Sequence, residues 1–70
     1  MNEQDRIFIA NEMSNESGAL IDPELVVELP SDGAIHVNNV WRVFGARCGE
    51  YTAIAYWYSE PEDHITVYTI

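Results

Sequence analysis

The chain has 70 residues, 47% of them apolar, and a formal charge of −9 from 12 acids set against three arginines and no lysine. That length holds one domain, close to the lower limit at which a chain stays folded without staples. The charge argues against direct binding to nucleic acid, whose phosphates must be neutralised by Lys and Arg, and against anionic membrane surfaces.

Residues 6–10 (Arg-Ile-Phe-Ile-Ala) are a short apolar run that reads as a strand, although Asn2 followed three residues later by Asp5 permits a helix start. The polar stretch Asn11 to Gly18 reads as a loop or wide turn.

Glu24 to Leu29 carries two signals. Asp22-Pro23-Glu24 has the form of a helix cap, a first-turn proline and an early acid. Leu25, Val27 and Leu29 alternate with Glu24 and Glu28, which is strand periodicity, and the expectation is a strand. Pro30-Ser31-Asp32-Gly33 then turns the chain into Ala34-Ile35-His36-Val37. Asn38-Asn39 fits either a tight turn or a point within a longer strand.

Val40 to Phe44 is strand-like, residues 45–49 (Gly-Ala-Arg-Cys-Gly) are expected to be a loop, and Tyr51 to Tyr58 is the strongest strand signal in the chain. Residues 59–63 form a turn into a last strand from His64 to Ile70. Pairing Tyr58 with His64 carries the register to Tyr56 with Thr66, Ile54 with Tyr68, and Thr52 with Ile70. Ala53, Ala55, Trp57, Ile65 and Val67 then share the core face, and the Tyr and Thr face is partly solvated. The expected fold is mainly β, a small single antiparallel sheet of about 4–6 short strands joined as hairpins. One short helix over residues 2–14 or 22–29 is the α+β alternative.

Catalytic apparatus is not expected, since there is no phosphate-binding glycine loop, no Gly-x-Ser-x-Gly, no His-Glu-x-x-His and no Cys-x-x-Cys. Cys48 is the only cysteine, which excludes an intramolecular disulfide and a Cys-rich metal site. It lies beside Arg47, but a cysteine nucleophile also needs a placed histidine. His64 beside Glu62 and Asp63 falls short of the ligand count a metal site wants, and His36 stands further from one. No metal and no cofactor are expected. Met1 to Asp5 is polar and acidic, unlike a signal peptide, and no apolar run reaches membrane-spanning length, so the expected location is the cytoplasm, the host's if the protein is phage-encoded.

Acidity is uneven: residues 1–33 hold eight acids and one Arg (−7), and residues 34–70 hold four acids and two Arg (−2). Candidate partner-binding acids are Asp22, Glu24, Glu28, Asp32, Glu60, Glu62 and Asp63, with Glu24 and Glu28 expected in one row on a strand. Such an array can imitate the phosphate charge of nucleic acid to a protein that expects it. Candidate partner-binding aromatics are Tyr56, Tyr58 and Tyr68, opposite Trp57.

The expected function is therefore a small acidic binding protein that inhibits or decoys a nucleic-acid-handling protein, its partner offering a basic surface such as that of a nuclease or a CRISPR effector complex. Small phage-encoded inhibitors of host defence nucleases, anti-CRISPR proteins among them, and acidic antitoxin or immunity proteins share this size and charge, a likeness that rests on no motif. The alternative is a non-inhibitory interaction module or small subunit, monomeric or a homodimer paired through the final strand, whose residues after Asp63 carry no formal charge with His neutral.

Overall fold

The computed structural model describes residues 2–30, 40–58 and 62–70, with Trp41 described in its backbone alone. Its elements are helix α1 (Glu3–Ser17), a single 3-10 turn (Pro23–Leu25), and strands β1 (Val27–Leu29), β2 (Val40–Cys48), β3 (Tyr51–Tyr58) and β4 (His64–Thr69). The strands form one antiparallel sheet in the order β1-β2-β3-β4, with α1 packed on one face against β3 and β4.

Residues 6–10, expected as a strand, and residues 11–18, expected as a loop, belong instead to α1, so the helical alternative holds and extends to Ser17. Asn2 caps the helix, its side chain accepting from the Asp5 backbone N–H at 2.8 Å. Gly18 ends it in the left-handed conformation at φ 76°, donating to the Ser14 carbonyl at 3.0 Å. Ile9, Ala10 and Met13 are buried on one side, at the spacing of successive turns. Ile7 and Phe8 are exposed, so the apolar residues wrap round the helix rather than forming the stripe that identifies one from sequence.

Both signals around Asp22 are realised in succession. Asp22 caps a turn, accepting from the Glu24 N–H at 2.9 Å with Pro23 in the first position, and Val26 ends that turn in an extended conformation. The strand begins only at Val27, which shortens the strand expected over 24–29 to three residues. Ala34 to Val37, the Asn38-Asn39 pair, His36, Asp32 and Glu60 lie outside the described residues.

The loop expected over residues 45–49 is also corrected, because β2 runs through Gly45 to Cys48 and the turn is confined to Gly49 and Glu50. Gly49 supplies the positive φ (65°) that a glycine-first two-residue hairpin requires. Gly45 serves another purpose: a Cβ there would sit 3.1 Å from Leu29 Cδ1, so its bareness admits the neighbouring side chain. Cys48 ends the strand and packs partly buried against the core.

The last hairpin has the expected register, Tyr58 with His64, Tyr56 with Thr66 and Ile54 with Tyr68. Backbone bonds between Thr52 and Ile70 of 2.9 and 2.8 Å continue it to the end of the chain. Its helix-facing side is the expected core face. Ala53 and Ala55 are fully buried beneath α1, and Trp57, Ile65 and Val67 close around them. Two alanines side by side let the helix lie close to the sheet, while Phe44 and Trp57, with ring centroids 6.1 Å apart, fill the space beside them.

Candidate binding face

The second face of the sheet has no described element packed over it, and its side chains are the site's raw material. The register sets them out in rows: Val27, Gly45, Ile54 and Tyr68 in one, and Leu29, Val43, Tyr56 and Thr66 in the next. Leu25 and Ile70 extend the face at one end, 51% and 77% exposed, and Tyr58 and His64 close it at the other.

Apolar side chains of this kind normally turn inward. At the start of β1 the reverse occurs: Val26, just ahead of the strand, enters the core beside Phe44, while Val27 lies 54% exposed on the uncovered side. The alternation of Leu25, Val27 and Leu29 thus marks the outer row, not the inner one. Val43 is buried at the centre of the outer face, outside the core cluster beneath the helix.

Tyr56, Tyr58 and Tyr68 all stand on this side, opposite Trp57, as expected. Tyr56 and Tyr68 are diagonal neighbours in edge-to-face contact, with centroids 5.6 Å apart and planes at 73°. Tyr58 stacks on His64 at 4.6 Å with planes 3° apart, and His64 Nδ1 lies 3.0 Å from the Glu62 carbonyl oxygen. Tyr68 is exposed and the other two are half-buried. Beside them, Leu25, Val27, Leu29, Arg47, Thr52 and Ile54 line a shallow, largely apolar groove that passes Gly45.

The expected acids separate. Glu24 belongs to the 3-10 turn and Glu28 to β1, so the anticipated row of Glu24 and Glu28 about Val26 does not form. A row needs continuous strand geometry, and the proline-led turn removes it. Glu28 is instead bound by Arg42, whose Nε donates to Oε2 at 2.9 Å and whose Nη2 donates to Oε1 at 2.8 Å. The same guanidinium donates through Nη1 to Asp5 on α1 at 2.7 Å. Hydrogen bonding from Arg42 holds the Glu28 carboxyl below its usual range, and the two carboxylates raise the Arg42 pKa in turn, Glu28 foremost. Glu28 is thereby withdrawn from the candidate contact residues. Asp22 and Glu24 stay exposed near Leu25, and Glu62 and Asp63 stay exposed just ahead of His64.

The Arg42 bridge joins residues 14 and 37 positions apart, and nothing local in the sequence announces it. Arg42 also lies over the Phe44 and Trp57 rings, at 4.9 and 5.3 Å from their centroids, so its stem closes one end of the core. Comparison with known families, with curated proteins and with solved structures finds no match to this chain. Among the described residues, no helix is long and apolar enough to cross a membrane.

Proposed function

We propose that the protein is a small acidic binding protein that acts as an inhibitor or decoy of a nucleic-acid-handling protein in the cytoplasm, docking through its open sheet face. The observation that supports this most is the pairing of an apolar, tyrosine-bearing face with a chain of charge −9. Monomers rarely expose contiguous apolar patches larger than a few hundred Å², and patches of that kind mark contact sites. Tyrosines at the centre of a contact supply large rigid area at low entropic cost.

The two features have separate tasks. The exposed carboxylates outside the Arg42 bridge, Asp22, Glu24, Glu62 and Asp63 among them, attract a basic surface and speed encounter with it. The groove and the tyrosines hold what the charge has brought in. A partner built to grip phosphates, such as a nuclease or a CRISPR effector complex, presents a basic surface of this type.

The test is titration of the protein into purified nuclease and CRISPR effector complexes, with nucleic-acid cleavage and association rate read at rising salt. Inhibition is expected, with an association rate that falls as salt rises and a dissociation rate that quickens in Val27→Ser and Tyr56→Ser. Inhibition that is indifferent to salt would remove the charge-mimicry mechanism, and no binding to any basic nucleic-acid-handling protein would remove the reading itself.

A further inference from the structure

We infer that β4 is a self-pairing edge, joining antiparallel to β4 of a second copy about a two-fold axis through Val67 and making one continuous eight-stranded sheet. The backbone geometry specifies which groups are available. Thr52 and Ile70 exchange both of their backbone hydrogen bonds, at 2.9 and 2.8 Å. Antiparallel ladders alternate, so Tyr68, Thr66 and His64, which pair with Ile54, Tyr56 and Tyr58, likewise point their N–H and C=O groups at β3. Ile65, Val67 and Thr69 therefore point theirs away from β3, along an edge that no described strand pairs with.

A free edge is ordinarily blunted by lysine, proline, a bulge, shortness or an inward charge. β4 has none of these between His64 and Thr69, and its register with β3 is unbroken. The opposite edge is protected, because β1 is three residues long and carries Glu28.

The choice of a second copy follows from register and charge. Bonding requires outward-pointing residues to face one another, and an axis through Val67 does this along the whole strand: Val67 faces Val67 of the second copy, and Ile65 faces its Thr69. On the open face Thr66 falls beside Tyr68 of the second copy, and His64 beside its Ile70. No acid meets an acid in any of these pairs. Each copy carries nine net negative charges, which oppose association except where the meeting elements are free of acids, as β4 is. The contact is a narrow one, well short of a standard interface area, so the dimer forms with rising concentration rather than being permanent. It places both α1 helices on one side and both tyrosine faces side by side on the other. Self-pairing of this kind holds whatever third protein the open face meets.

The full chain is tested by sedimentation velocity across a wide concentration range, together with amide hydrogen exchange at low and high concentration. The weight-average mass is expected to climb from 8.0 kDa towards twice that value. Protection of the Ile65, Val67 and Thr69 amides is expected to rise with it, while Thr66 and Tyr68, already bonded to β3, stay unchanged. The register is tested by two double variants that lose the same tyrosine. Thr66→Glu with Tyr68→Glu sets like charges opposite each other and is expected to weaken the dimer about tenfold or more relative to Thr66→Lys with Tyr68→Glu, which sets opposite charges there. A chain that stays monomeric throughout, a dimer that leaves the three outward amides unprotected, or equal association of the two double variants would each overturn the proposal.

Discussion

Arg42 and Glu28 form a two-bonded ion pair across the β1–β2 boundary, with Arg42 two residues along β2 from Phe44, which faces Glu28 directly. Because Arg42 also reaches Asp5, this one side chain ties the sheet's shortest strand to the helix. Substituting Arg42→Met keeps the packing over Phe44 but leaves two carboxylates without their shared cation. The expected cost is about 1–2 kcal/mol, read from the urea midpoint. Arg42→Lys should recover only part of it, since an ammonium cannot present the planar fork that serves both acids at once.

The same bridge sets a pH dependence. The folded Glu28 carboxyl titrates below its ordinary value near 4.5. Its contribution is therefore complete above that value and is lost as the pH falls through the lower folded one. Acidification also relieves repulsion among the remaining carboxylates, which acts in the opposite direction. The informative quantity is the difference between the parent and Glu28→Gln: their stabilities should differ most near neutrality and converge as the pH falls through the lowered folded value. Urea unfolding at a series of pH values measures it, and a gap that stays constant with pH would contradict the bridge's role.

Val26 and Val27 offer a sharper test of which side of β1 is the inner one. Val26 is buried to 1% exposure, and its neighbour is more than half exposed. Val26→Ala should cost about 2 kcal/mol through lost burial and a residual cavity. Val27→Ala should change stability by no more than about 0.5 kcal/mol. Equal costs at the two positions, measured by chemical denaturation, would mean that the open face is covered in solution.

What could be read from sequence divides along physical lines. The last hairpin was legible because Tyr51–Tyr58 and His64–Thr69 are both rich in β-formers, pairing across a short turn sets the register, and the alanines then fall on one face and most of the Tyr and Thr on the other. Helix α1 was not, because Ile7, Phe8, Ile9 and Ala10 run consecutively and only the tertiary fold decides which of them are buried. β1 was read as a strand, but periodicity reveals that two faces differ without saying which one meets the core. The placement of Tyr56, Tyr58 and Tyr68 on one face was recoverable for the same reason as the hairpin. The arrangement of the acids was not: whether Glu28 is free or bound depends on an arginine from another strand, and a charge count treats both cases alike.

The paired alanines beneath α1 have one further consequence. Ala53 and Ala55 leave no room for a larger side chain without pushing the helix outward, so the inner layer has almost no freedom to vary. Ile54 and Tyr56, interleaved with them on the same strand, face the other way and are under no such constraint. Sequence change can accumulate on the outer residues while the inner ones stay fixed, so the chemistry of the open face can be rewritten without the chain having to fold anew.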